Sequence, residues 1–170
     1  MIRVAQAFVP NRGIAEEVVQ ETWVGMLRGL DRFEGRASLK TWLYAILINQ
    51  ARSIAGRERR TVPFDHTDDT RAEDPARFAP DGGWVQPPVP FTEEVEDRLS
   101  TAPMLAHLTA ALDELPPAQR IVVTLRDIEQ LTTDEVCTML DITPGNQRVL
   151  LHRGRACLRR NIEAVLEGGD

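Results

Sequence analysis

Cysteine, histidine and aromatic residues are all scarce in this chain of 170 residues: two Cys, three His, one Tyr, and an aromatic fraction of 5%. Cys137 and Cys157 form neither a CxxC nor a ladder of spacings, which excludes a disulfide framework and points to a reduced, cytoplasmic protein. His66, His107 and His152 are scattered, and no metal-ligand spacing joins them, so neither a metal nor a cofactor is expected. No apolar run approaches the about eighteen residues that a membrane span needs, and the N-terminus lacks a signal-peptide pattern. No membrane insertion is expected. Strand-like alternation is missing throughout, which leaves an all-α fold.

What the chain does have is charge, unevenly placed. The formal net charge is −6, yet residues 1–60 hold ten Lys/Arg against six Asp/Glu. Residues 61–100 reverse this with three against ten, and residues 101–170 hold seven against ten. Within that last block, residues 144–162 carry five arginines and no acid. Charges much more than about 8 Å apart are largely screened at physiological salt, so a local basic face can hold an anion although the total is negative.

Residues 61–100 also contain six prolines and the Gly82-Gly83 pair, without apolar periodicity. They read as a flexible acidic linker between two small helical domains. The boundaries that follow are a first domain over 1–60, the linker over 61–103, a second domain over 104–164 and a tail over 165–170.

In the first domain, Val19, Trp23, Met26, Leu27 and Leu30 recur at helical spacing, with Glu17, Glu21 and Arg28 opposite. Ser38 is a fair N-cap for the next helix, in which Leu39, Leu43, Ile46, Leu47 and Ile54 form one face. In the second domain, Leu105, Leu108, Leu112 and Leu115 share one side of a first helix. Pro116 or Pro117 suits the first turn of a second, where a missing N–H costs little. Thr132 with Glu135 is a capping-box pattern for a third, which ends near Asp141. Thr143 then caps a fourth, with Pro144 at its first position.

The three-residue turn Asp141-Ile142-Thr143 has helix-turn-helix spacing, in which the second helix enters the DNA major groove. A wheel of that helix puts Gln147, Leu151, Gly154, Leu158 and Ile162 in a packed sector. Arg148, His152, Arg155 and Arg159 fall in another sector about 60° wide at 100° per residue. Arg153 and Arg160 form a second basic edge. Arginine pairs with guanine or grips phosphate, and Asn146 is suited to adenine. A basic helix face can also serve plain solubility; cap, turn and two-sector wheel together argue against that. In the first domain, Lys40, Trp42, Tyr44, Arg52, Arg57, Arg59 and Arg60 set basic groups beside aromatic rings, a composition suited to single-stranded or melted DNA. Trp42 and Tyr44 are equally suited to a core.

At "EEVVQETWVGMLRGLDRFEGRASLKTWLYAILINQARS" and "LDELPPAQRIVVTLRDIEQLTTDEVCTMLDITPGNQRVLLHRGRACLR" the chain resembles the extracytoplasmic-function (ECF) sigma factors of bacterial RNA polymerase, in the sigma-70 family. The resemblance covers nearly everything outside the linker. It implies that Glu17, Gln20 and Glu21 face the polymerase clamp helices. It implies that the loop from Phe33 through Arg36 to Ser38, with Lys40, Trp42, Asn49 and Arg52 on the helix after it, captures the melted minus-ten element. The fourth helix of the second domain, through Asn146, Arg148, His152, Arg153, Arg155 and Arg159, would read the minus-thirty-five element while its domain sits on the polymerase flap. Promoter DNA and core polymerase are thus the implied partners, and members of the family are commonly held by an anti-sigma factor. The two promoter elements are about twenty base pairs apart, or roughly 70 Å at 3.4 Å per step. The linker must therefore be held stretched, and it is expected to lie along polymerase.

Three departures stand out. Asp141 takes a turn position that the family usually gives to glycine. Gln147 sits on the packed side where many relatives have an aliphatic residue. Met1 falls inside what should be the first helix, leaving Val4, Ala5, Phe8 and Val9 to cover Trp23, Met26, Leu30, Leu43 and Ile46. Either the chain starts further upstream, or the first domain is marginal until polymerase covers it.

A factor of this kind performs no chemistry itself. The alternative is a free-standing helix-turn-helix transcriptional regulator, against which the melted-strand block and the long linker argue. A metal-dependent nuclease would have only Glu16, Glu17 and Glu21 as a carboxylate cluster, with no further ligands around it.

Overall fold

The computed structural model describes residues 1–57, 62, 64 and 101–167. The acidic stretch expected as a linker lies almost wholly outside the described residues, as do Arg59, Arg60 and His66. Seven α-helices make up the described chain, without a strand among the described residues. Three belong to the N-terminal unit: α1 (Ile2–Gln6), α2 (Arg12–Gly29, followed by a 3-10 turn, Leu30–Arg32) and α3 (Leu39–Arg57). Four belong to the C-terminal unit: α4 (Ala102–Glu114), α5 (Pro117–Val123), α6 (Thr133–Leu140) and α7 (Pro144–Glu167). Helix α5 widens at its end into a π-helical turn, Thr124–Ile128.

The helix ends fall where the local chemistry sets them. Asn11 Oδ1 accepts from the Ile14 amide at 2.9 Å to start α2, and Ser38 Oγ accepts from the Thr41 amide at 3.0 Å to start α3. Pro117 opens α5. Thr132 and Glu135 form the full capping box of α6, each side chain meeting the other's backbone N–H. Asp141 ends that helix in the left-handed region at φ 56°, ψ 49°, a conformation a short Asp side chain tolerates. Thr143 Oγ1 then accepts from the Asn146 amide at 3.1 Å, and Pro144 is the first residue of α7.

The buried faces are turned relative to the stripes that the large apolar residues mark out. Helix α2 buries Ala15, Val18 and Thr22, while Trp23, Leu27 and Leu30 are 45%, 66% and 46% exposed. Helix α3 buries Thr41, Tyr44, Leu47, Ile48, Ala51 and Ala55; Leu39 is exposed, and Leu43, Ile46 and Ile54 are only half-buried. Helix α4 buries Met104, Ala111, Leu112 and Leu115 and leaves Leu105 exposed. Small residues face inward in α2 because it crosses α3 closely. A Cβ on Gly25 would sit 3.3 Å from Ile46, and one on Gly29 would sit 3.0 Å from the Trp42 ring. Val4, Ala5, Phe8 and Val9 are all buried. They join Val18, Leu47 and Ile48 in an apolar cluster that continues without a break into Leu112, Ile121, Leu125, Val136 and Leu150 of the C-terminal unit.

Candidate nucleic-acid interface

Helices α6 and α7, with the turn 141–143 between them, form the helix-turn-helix. Its second helix is seated on α5 by a close approach: a Cβ on Gly154 would lie 2.5 Å from Val123 Cγ2, which only glycine avoids. Gln147, Leu150, Leu151, Gly154 and Ala156 face inward, and Leu158 and Ile162 are half-buried. The packed sector of the wheel is therefore where periodicity puts it. Gln147 is 2% exposed, and its Nε2 is buried with no hydrogen-bond partner. A buried donor left unpaired costs about 1–3 kcal/mol. Gln147→Leu is accordingly expected to raise stability by about 1 kcal/mol, read as a later midpoint in chemical denaturation.

Across that helix, Arg155 and Arg160 are exposed, and Asn146, Arg148, Arg153 and Arg159 are half-buried. His152 departs from the expected exposed face: it is 8% exposed, so the imidazole is covered although the wheel sets it next to the arginines. Ala156, about 40° further round the helix, is buried as well, so a second covered strip borders the arginines on the side away from Leu151 and Gly154. Arg155 is held by Asp127 of the π turn through two contacts, Nε–Oδ2 at 2.8 Å and Nη2–Oδ1 at 2.5 Å. These bonds push its guanidinium above its ordinary pKa against the opposing effect of burial. Arg159 pairs with Glu163 one turn on, at 2.7 Å. Both pairs are partly solvated, at 44%/30% and 25%/43% side-chain exposure, so a phosphate can replace the carboxylate at small cost.

The second basic surface belongs to the loop after α2 and the first turns of α3. Phe33 lies against Trp42 with ring centroids 5.0 Å apart and planes inclined by 34°. Trp42 is half-buried at this surface, whereas Tyr44 is a core residue. Gly35 takes φ +70°, the left-handed turn that carries the loop past Arg36, which is exposed and paired with Glu34. Ser38 and Asn49 are exposed. The loop, Trp42 and Ala45 form one wall of a cleft of about 520 Å³. Its opposite wall is Asp134, Glu135, Thr138 and Met139 of the helix-turn-helix.

The two surfaces meet. Lys40 Nζ donates to the Glu129 carbonyl at 2.5 Å and lies 3.2 Å from its carboxylate. Thr41 Oγ1 donates to Glu135 Oε1 at 2.5 Å, between residues 94 positions apart in the chain. Arg52 donates to the Met139 and Leu140 carbonyls at 3.2 and 2.5 Å. Asn146 Nδ2 donates to the Phe64 carbonyl at 2.5 Å, and the Phe64 ring lies 5.8 Å from the Arg52 guanidinium. Burial pulls Glu129 upward, but hydrogen bonds from Tyr44 and Lys40 and the charges of Lys40 and the chain amino group hold its pKa below the usual carboxylate value. Glu135 is held low as well, chiefly by Thr41, then by Thr132, with Arg126 nearby. Both acids are charged at neutral pH. Sequence reasoning found Glu135 only as a helix cap and did not find Glu129 or Asp127 as partners of basic residues; their signal is tertiary.

Glu17, Gln20 and Glu21 are exposed on α2, beside the uncovered Trp23, Leu27 and Leu30. Among the described residues, no group of three His, Cys, Asp or Glu side chains is placed to hold a metal ion. No helix of the described residues is long and apolar enough to cross a membrane.

Comparison with known proteins adds independent findings. The family description "Sigma-70 region 2" matches residues 1–61, and "Sigma-70, region 4" matches residues 105–158. The ECF RNA polymerase sigma-E factor of Salmonella typhimurium is 26% identical over 159 residues, covering 94% of this chain and 78% of the relative. The RNA polymerase sigma-H factor of Pseudomonas aeruginosa is 29% identical over 160 residues, with the same shares of each chain. Among solved structures, the sigma factor RpoE in complex with the anti-sigma factor NepR from Bartonella quintana matches with a TM-score of 0.62 and 20% identity, over 95% of this chain and 89% of that one. CnrH in complex with the cytosolic domain of CnrY matches with a TM-score of 0.52 and 20% identity, over 96% and 80%. At these identities the structures speak for the fold.

Proposed function

Because the chain belongs to the sigma-70 family and is an RNA polymerase sigma factor of the ECF type, we propose that its two basic surfaces divide the promoter between them. Helix α7 reads the minus-thirty-five element in the duplex, with Arg148 at a base edge and Asn146, Arg153, Arg155 and Arg159 around it. The Phe33–Ser38 loop and α3 take the melted minus-ten strand, with Trp42 and Phe33 as stacking surfaces and Arg36, Lys40, Asn49 and Arg52 toward the backbone. Glu17, Gln20 and Glu21, with the exposed apolar stripe of α2, face core polymerase. The protein positions polymerase and performs no chemistry itself, and an anti-sigma factor is a further partner. The observation that carries this reading is the pairing, in one chain, of a helix-turn-helix whose second helix holds five arginines and no acid over residues 144–162 with the Phe33–Trp42 ring pair beside Arg36 and Lys40.

Co-elution with core polymerase on gel filtration, together with weak binding to duplex promoter by the chain alone, is the expected behaviour. Tight and specific duplex binding without polymerase would instead support a free-standing regulator.

The roles within α7 separate by mutation. Arg148→Ala should cost about 1–3 kcal/mol at a cognate promoter and relax preference at one position. Arg155→Ala or Arg159→Ala should weaken all sequences alike and flatten the salt dependence, as loss of a phosphate contact does. Equal, sequence-blind losses from all three, measured on a promoter library, would remove Arg148 from base reading.

A further inference from the structure

The close seating of α7 on α5 brings one carboxylate onto one arginine. Gly154 has no side chain, and a Cβ there would lie 2.5 Å from Val123 Cγ2, so α7 meets that valine with bare backbone. Asp127 lies about one turn beyond Val123, and Arg155 is the neighbour of Gly154. Between Val123 and Asp127 the helix widens, because the Thr124 carbonyl accepts from the Glu129 amide, five residues on, at 2.9 Å. Such π turns are frequent at functional sites. Thr124 and Leu125 stay buried in this turn while Asp127 is exposed. Its two oxygens accept from Arg155 Nε at 2.8 Å and Nη2 at 2.5 Å.

A guanidinium carries five N–H donors in one plane. The side-on grip of Asp127 uses Nε–H and one Nη2–H. Three donors are left, among them the end-on pair from Nη1 and Nη2 that matches two oxygens of a phosphate. The Arg155 side chain is 44% exposed, which leaves room for that second partner. Arg155 stands about 10 Å along the helix from Arg148, at 1.5 Å per residue. With Arg148 at a base edge, that distance approaches the about 12 Å width of the major groove and carries Arg155 to its phosphate wall. A phosphate that displaced the carboxylate would leave Asp127 bare beside it, two like charges in contact. A phosphate on the end-on edge is separated from Asp127 by the whole guanidinium. It also finds a side chain already fixed, with less rotamer freedom to lose.

We propose that Asp127 is a positioning residue for Arg155: it holds the side-on edge of the guanidinium and presents the end-on edge, in one orientation, to a phosphate at the edge of the major groove. The proposal rests on the reading of α7 as the duplex-contacting helix. It has an unusual sign. Removing an acid beside DNA ordinarily tightens binding, whereas here it should weaken it.

The test uses the full chain with core polymerase, titrated onto a promoter duplex recovered by the wild type. Asp127→Ala should bind about five-fold more weakly than the wild type, and Arg155→Ala about ten-fold. In the Arg155→Ala background the same Asp127→Ala change should cost nothing, because only a bare carboxylate is left to remove. The grip itself is read without DNA. The Arg155 Nε–H resonance of the free chain, identified by its absence from Arg155→Ala, should be sharp in the wild type and lost to solvent exchange in Asp127→Ala. Promoter affinity unchanged or raised by Asp127→Ala, an equal loss in both backgrounds, or an Nε–H signal that survives the change overturns the proposal. If Asp127→Ala melts early, Asp127→Asn repeats the titration at constant size, and the loss should keep its direction; a gain there overturns the proposal as well. Affinity unchanged by Arg155→Ala overturns the duplex reading at this position together with the proposal. A loss from Arg155→Ala without one from Asp127→Ala overturns the proposal alone.

Discussion

Replacing Trp23 and Leu27 with serine is expected to abolish working affinity for core polymerase while leaving the melting of the chain unchanged. Both side chains sit on α2 at 45% and 66% exposure, on the side away from Ala15, Val18 and Thr22, so neither contributes much to the core. Surface substitutions of that kind change stability by about 0.5 kcal/mol or less. Together with Leu30 they form an uncovered apolar stripe next to the exposed Glu17, Gln20 and Glu21. Apolar residues clustered on a surface mark a binding site, and a tryptophan at the centre of an interface costs about 2–4 kcal/mol when truncated. The double variant should therefore lose a factor of about a hundred or more in a polymerase-binding titration. Retained affinity with early melting would place the stripe in the fold and not in the interface.

The second large effect lies inside the N-terminal unit. Ile48→Ala should destabilise the chain by about 2–5 kcal/mol in chemical denaturation, because Ile48 is 1% exposed and its removal leaves a cavity. Leu39→Ala, nine residues earlier on the same helix, should stay within about 0.5 kcal/mol, since Leu39 is 49% exposed. The larger loss is a substantial share of a typical domain stability of about 5–15 kcal/mol. Equal costs at the two positions would mean that α3 packs on the face its large residues mark out, and would contradict the packing described above.

That contrast shows where the sequence is legible. The caps at Ser38, Thr132 with Glu135, Asp141, and Thr143 with Pro144 could be read, because each depends on residues no more than four apart; Asn11, the cap of α2, is equally local and was missed. The helix-turn-helix and the packed sector of α7 were legible for the same reason, since one side of that helix is polar enough to leave a single apolar arc. Helices α2, α3 and α4 carry apolar residues around more than half their circumference, so periodicity alone allowed more than one buried face. In α2, close approach at Gly25 and Gly29 selects the side with Ala15, Val18 and Thr22 and turns Trp23 and Leu27 outward. Tyr44 and Trp42, two positions apart, were equally fit for core or surface by type, and the structure puts one in each. His152 lies at the edge of its sector, where an imidazole can be covered. The engagement of Lys40, Thr41, Arg52 and Asn146 had no local signal, because their partners lie 82 to 94 positions away in the chain.

Run-off transcription with core polymerase on a genomic promoter library, with and without this chain, tests the central claim most directly. The account predicts discrete start sites that appear only with the chain, each preceded by two short shared elements about twenty base pairs apart. The Arg148→Ala variant should change the upstream element alone. A transcript pattern unaltered by the chain, beside tight binding of the chain to duplex DNA in the absence of polymerase, would contradict the account.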